Sequence, residues 1–142
     1  MSERTAIEPE LLSLLEAALE AADKSYSPYS GFKVGAALRL GDGSIVAGTN
    51  VENVSYGLTI CAERAALARA VSERGPGIRV GALAVANLND AASPPCGACR
   101  QMLAEFVEPD ARVVFLLDGG PRAMRFADLL PLAFNSSTKE GR

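Results

Sequence analysis

Between Pro9 and Ala22 the apolar positions Leu11, Leu12, Leu15, Ala18, Leu19 and Ala22 recur at three- and four-residue steps, which predicts an amphipathic helix with a proline near its first turn. After the polar SYSPYSG the pattern changes. Phe32 to Leu40 mixes β-branched, aromatic and small residues, GDGS supplies turn chemistry, and Ser44 to Gly48 resumes as strand, so a β-hairpin is predicted. NVENVSYGL is polar and irregular, a loop leading into a helix from near Cys61 to about Glu73 that GPG ends. Arg79 to Ala86 is almost uninterrupted small and apolar, as strands covered on both faces are. The loop NLNDAASPP leads to a helix from Cys96 to about Val107. ARVVFLL then predicts a second buried strand, RAMRF a short edge strand and FADLLPLAF a brief closing helix. The order αββαβαβ with one extra short strand predicts an α/β fold of three layers, α/β/α, around a mixed sheet of roughly five strands.

Composition narrows the class. The chain has 142 residues, 49% hydrophobic and 22% charged, which suits a single globular domain over residues 1–142. No apolar run approaches the roughly 20 residues of a membrane-spanning helix, so no membrane partner is expected. The opening MSERTAIEPELLSLLEAALEAADK lacks a basic start followed by an apolar block, which leaves a cytoplasmic location as the expectation. Net charge is −3 and the 14 basic residues are scattered, which speaks against nucleic acid as a partner.

The chemistry concentrates in three cysteines. The chain has no histidine; Cys61 lies in TICAERAAL, and Cys96 and Cys99 lie in SPPCGACRQM. An odd count leaves one thiol over from any set of intramolecular disulfides, which favours metal ligation or reactivity. Both segments follow an irregular loop and open a helix, where unpaired backbone N–H groups stabilise a thiolate. Cys96 and Cys99, three apart, share the face of a first turn and can share one ion. Zinc suits soft thiolates and takes four tetrahedral neighbours. Three cysteines without a histidine favour an open fourth position, which holds water and makes it acidic; that points to hydrolysis. Three anionic sulfurs over-neutralise the ion, so charge must be withdrawn. The helix starts help, and Arg64, three residues after Cys61, can donate to the thiolates. Glu63, two residues past Cys61, is the candidate general base. Residues two apart in a regular helix face different ways, so Cys61 must sit at or just before the first helical position for both to reach one ion.

CAERAA followed by PCGACRQ resembles the paired C-A-E and P-C-x-x-C motifs of the cytidine deaminases, in their small all-cysteine class. The likeness extends from SYSPYSGFKVGAAL through GTNVENVSYGLTICAERAAL to LLPLAF. It implies Zn2+ as cofactor, one per subunit, with Cys61, Cys96 and Cys99 as ligands and Glu63 as proton shuttle. It further implies that Asn50 and Glu52 hold ribose hydroxyls, that Phe32 packs beside the base, and that the Ala62 backbone donates to the pyrimidine carbonyl. Tyr56 and Phe134 would reach a neighbouring subunit's site, which implies a homotetramer with shared sites. Pro94 departs from the family, which more often has serine just before the Pro-Cys pair; its carbonyl is retained while the local shape changes. The implied activity is deamination of free cytidine and 2′-deoxycytidine to uridine and 2′-deoxyuridine with release of ammonia, as in pyrimidine salvage.

Plainer readings exist for each residue. Cys61 alone would be a small buried hydrophobe, and Cys96 with Cys99 a redox pair, though that pair leaves Cys61 and Glu63 unexplained. Glu63 and Arg64 on an anonymous helix are a solvated charged pair, Asn50 and Glu52 loop caps, and Phe134 a tail anchor. Among functions, a deaminase of another aminopyrimidine nucleoside such as blasticidin S shares the motifs, but NVENVSY speaks for a ribose. A nucleic-acid editing enzyme would want a basic groove that this acidic chain lacks. A non-catalytic zinc module would take its fourth ligand from a carboxylate or another subunit.

Overall fold

The chain enters α1 (Pro9–Ala22) from Glu8, whose extended backbone (φ −64°, ψ 146°) feeds a proline into the first turn, where a missing N–H loses no helical hydrogen bond. The computed structural model describes residues 7–134; residues 1–6 and the tail NSSTKEGR, parts of the expected domain, lie outside the described residues. The buried stripe of α1 is Leu11, Leu14, Leu15, Ala18 and Ala22. Leu14, absent from the periodic set above, is completely buried, whereas Leu12 is 41% exposed.

β1 (Val34–Leu40) and β2 (Ile45–Thr49) form the expected hairpin. Asp42 organises its turn by accepting the Ser44 N–H at 2.9 Å. A short 3-10 turn, Tyr56–Leu58, interrupts the following loop. Then come α2 (Ala62–Arg74), β3 (Val80–Asn87), α3 (Gly97–Leu103), β4 (Val107–Leu117), β5 (Gly120–Arg125) and α4 (Phe126–Leu129). The strands form one sheet in the order β2-β1-β3-β4-β5. β3 and β4 are parallel and the other neighbours antiparallel, so the sheet is mixed, as expected.

Both faces are covered. α1 packs against Ala37, Ala82, Ala84 and Val114 on one face. The small side chains let the helix come close: a Cβ on Gly35 would lie 1.9 Å from the Ala18 carbonyl oxygen. α2, α3 and α4 cover the other face around Leu38, Leu83, Val113 and Phe115, and each such buried side chain contributes about 1.5–3 kcal/mol. This is the three-layer α/β/α arrangement. No helix among the described residues is long and apolar enough to cross a membrane.

Among the boundaries that differ from the expected ones, two bear on the site. β1 begins at Val34, because Phe32 and Lys33 are held by side chains rather than by a strand partner: their N–H groups donate to Ser30 Oγ at 2.9 Å and Asn89 Oδ1 at 2.8 Å. α3 ends at Leu103 rather than near Val107. There the neighbouring strand captures the chain, with Val80 N–H donating to Phe106 O at 2.9 Å and Val107 in register with Val80.

Candidate metal and catalytic site

Cys61 is the residue just before α2 and Cys96 the residue just before α3, both with extended backbone (ψ 153° and 166°). Cys99 sits in the first turn of α3, fully buried. The three Sγ atoms lie within 4.8 Å of one another, with Cys61 to Cys96 at 3.9 Å and Cys96 to Cys99 at 3.3 Å. A tetrahedral zinc with bonds of about 2.3 Å spaces its sulfurs roughly 3.8 Å apart, so the trio fits one ion with little adjustment. The donor chemistry fits as well, since soft thiolates select zinc among the common divalent ions of cells.

Cys61's place ahead of the first helical residue meets the condition that lets Glu63, two residues on, approach the same point. Arg64 Nη2 donates to Cys61 Sγ at 3.4 Å. Hydrogen bonding from Cys99 holds the Cys61 thiol down to about 5, with the Arg64 guanidinium adding to it and burial opposing. Cys99 is pushed up by the same hydrogen bond, by burial and by the Glu63 charge. Without metal, therefore, Cys61 ionises before Cys99. Glu63 is 4% exposed. Burial pushes its carboxyl above the usual carboxylate range, and negative charge on Cys61 pushes it further, the direction that helps a carboxyl group take up and pass on a proton.

A cavity of about 240 Å³ opens on this cluster, lined in part by Phe32, Asn50, Cys61, Ala62, Glu63 and Cys96. A larger groove of about 680 Å³, lined by Glu20, Lys24 and Arg69 among others, includes none of these groups. Asn50 is buried, and its side chain is occupied in shaping the wall: Oδ1 accepts from Ser25 Oγ at 2.5 Å and Val34 N–H at 3.0 Å, and Nδ2 donates to Phe32 O at 2.8 Å. Glu52 is not part of this lining. Its carboxylate accepts from the Ser30 hydroxyl and from the Tyr29 and Ser30 N–H groups at 3.0 and 3.2 Å, and these bonds, the Ser30 hydroxyl foremost, hold it below the usual carboxylate range. Tyr56 and Phe134 also lie away from the cavity of their own chain, 77% and 59% exposed.

Sequence reasoning passed over Ser93, which lines the cavity. Its hydroxyl donates to Val85 O at 2.9 Å and accepts Leu116 N–H at 3.1 Å, which ties the segment before Cys96 to β3 and β4. A serine beside two prolines carries no periodic signal; its place ahead of the cysteine motif was the available hint.

A mixed sheet that brings three thiols to two helix starts, with a buried carboxyl beside them, defines a zinc site of the hydrolytic kind. Residues 9–117 match the family described as the cytidine and deoxycytidylate deaminase zinc-binding region. The cytidine deaminase of Halalkalibacterium halodurans is 47% identical over 125 residues, covering 87% of this chain and 92% of that one. That of Mycobacterium tuberculosis is 47% identical over 117 residues, covering 82% and 84%. Among solved structures, the cytidine deaminase from Burkholderia pseudomallei superposes with a TM-score of 0.78 at 45% identity, covering 90% of this chain and all of that one. The chain belongs to the cytidine and deoxycytidylate deaminase family. It carries that family's zinc-binding region, and Cys61, Cys96 and Cys99 are the residues that could hold the ion.

Proposed function

We propose that this chain is a zinc-dependent hydrolase that deaminates free cytidine and 2′-deoxycytidine to uridine and 2′-deoxyuridine with release of ammonia, serving pyrimidine salvage in the cytoplasm as a single domain over residues 1–142. The observation that carries the reading is a cluster of three thiols, of which Cys61 and Cys96 line one cavity together with the buried Glu63. Relatives named cytidine deaminase, matched along most of both chains, support cytidine over blasticidin S.

Zinc, when bound, is a Lewis acid that makes water nucleophilic near neutral pH. Cys61, Cys96 and Cys99 hold it, and Arg64 draws charge from Cys61. Glu63 moves the protons: its carboxyl group accepts one from the attacking water and gives it to N3 of the base, then takes the remaining proton from the new C4 hydroxyl and hands it to the exocyclic amine, which leaves as ammonia as the C4–N bond breaks. The Ala62 backbone N–H donates to the pyrimidine carbonyl, Phe32 packs beside the base, and Asn50 and Glu52 hold the ribose, each exchanging a hydrogen bond it now makes within the chain for one to a ribose hydroxyl. Glu63 and Cys99 are themselves buried, which strengthens their electrostatic contacts with the reacting atoms.

A homotetramer with shared sites completes the reading. Tyr56, Leu58, Leu132 and Phe134 are 77%, 67%, 94% and 59% exposed, and a neighbouring subunit would take these apolar side chains out of water. In the assembly Tyr56 and Phe134 reach a neighbouring subunit's cavity. The test is the ultraviolet absorbance change on mixing with cytidine, alongside zinc content per subunit and sedimentation. Glu63→Gln is expected to keep its zinc and lose nearly all turnover; full turnover in that variant would end the reading.

A further inference from the structure

The connection from β3 to α3 does more than carry Cys96. Asn87, the last residue of β3, is 3% exposed, and its side chain folds the following residues into a turn. Its Oδ1 accepts from Asn89 N–H at 2.9 Å and Ala91 N–H at 3.2 Å, while its Nδ2 donates to Ala91 O at 2.7 Å. Asp90 stands within this turn at φ 56°, a conformation uncommon outside glycine.

The turn directs the Asn89 side chain at a distant stretch of chain. Asn89 Nδ2 donates to Gly31 O at 2.9 Å and Oδ1 accepts from Lys33 N–H at 2.8 Å, so the two bonds straddle Phe32. Leu88 N–H adds a bond to Lys33 O at 3.0 Å. Phe32 precedes β1 and has no strand ladder of its own; this clamp takes the ladder's place. Phe32 lines the cavity, and so do Ala92, Ser93 and Pro94 from the same connection as Asn89. One amide side chain therefore joins the aromatic wall to the wall that leads into Cys96.

We propose that Asn89 is a positioning residue that fixes Phe32 relative to the Ala92–Cys96 segment, and so sets how tightly the cavity takes a flat heterocyclic base. The inference rests on the nucleoside reading above. Asn89 acts through Phe32, so its loss should weaken base binding more than the proton transfers at Glu63. Aspartate at position 89 retains an acceptor for Lys33 N–H but sets an oxygen against Gly31 O, so one of the two bonds survives.

The test uses the zinc-loaded enzyme and the variants Asn89→Ala and Asn89→Asp, with zinc content, steady-state kinetics on cytidine and amide exchange of Lys33 by NMR. Asn89→Ala is expected to keep its zinc and a kcat within about twofold, to raise KM roughly tenfold, the scale of losing two modest hydrogen bonds, and to speed Lys33 exchange. Asn89→Asp is expected to keep Lys33 slow to exchange and to show an intermediate KM. Unchanged KM and Lys33 exchange in Asn89→Ala would overturn the inference, and so would zinc content and kcat falling in step with affinity, the pattern of a general loss of structure. A wild type inactive on cytidine overturns the nucleoside reading instead, and Lys33 exchange then still decides whether the clamp exists.

Discussion

Gly48 is where the sheet meets the turn that carries Glu63. A Cβ at this position would lie 2.4 Å from Ala66 N, 2.8 Å from Ala66 Cα and 3.0 Å from Ala62 O, whereas ordinary contact begins at 3.4 Å. All three are backbone atoms of α2, so no side chain can swing aside. In Gly48→Ala the helix must retreat by roughly 1 Å and take Ala62, Glu63 and the Cys61 junction with it. Overpacking of this kind costs about 1–3 kcal/mol, and a displacement near 1 Å in catalytic geometry lowers the rate roughly a hundredfold. Gly81→Ala in β3 is the control, because a Cβ there meets only Arg39 O at 3.9 Å. The assays are urea unfolding, zinc per subunit and kcat/KM on cytidine. Gly48→Ala should lose stability and rate on those scales while Gly81→Ala stays close to wild type. Two variants that behave alike would refute the claim that the contact between β2 and α2 sets the position of Glu63.

Three further outcomes can be checked. Arg64→Gln removes the donor 3.4 Å from Cys61 Sγ and should weaken zinc retention roughly tenfold to a hundredfold in a chelator competition; unchanged zinc content and activity would count against charge withdrawal by Arg64. In enzyme stripped of metal at pH 7, iodoacetamide should label Cys61 ahead of Cys99, because Cys61 is held at about 5 while Cys99 is raised; in stripped Arg64→Gln the pH midpoint of Cys61 labelling should rise, and an unmoved midpoint contradicts the assignment. Glu52 is held below the usual carboxylate range, so its share of nucleoside affinity is present above that range and lost only as pH falls through the lowered value; Ser30→Ala should move the loss to higher pH in a KM profile, and an unmoved profile would separate Glu52 from binding.

The elements legible in the sequence are those whose signal is local. The three- and four-residue rhythm of α1, the small apolar run of β3 and the Asp-Gly turn of the hairpin each depend on neighbours within a few positions. The misplaced boundaries have distant causes. α3 was expected to run on to Val107 because helical character alone does not register that Val80, far back in the chain, pairs with Val107 and accepts it into the sheet. Phe32 reads as part of β1 for a similar reason: its side chain suits a strand, but its backbone is held by Ser30 and Asn50 and straddled by Asn89.

The same division runs through the site. Thiol ligands and a neighbouring carboxyl announce themselves because metal chemistry demands those residue types at short spacing. The polar residues that tie down the surrounding walls, Ser93, Asn87 and Asn89, could each be an ordinary loop residue until the fold sets them against β3, β4 and the Phe32 turn. Glu52, Tyr56 and Phe134 are not among the residues that line the cavity of the chain that bears them, yet the C-terminal segment is held in place by side chains. Arg100 donates to Pro95 O at 2.7 Å and to Leu129 O at 2.8 Å. Gln101 donates to Phe134 O at 2.6 Å and accepts Phe134 N–H at 3.4 Å. The short helix that carries Cys99 thus braces the loop before Cys96 and at the same time presents an exposed aromatic on the protein surface. A helix that braces one cavity and holds an aromatic outward suits the shared site proposed above.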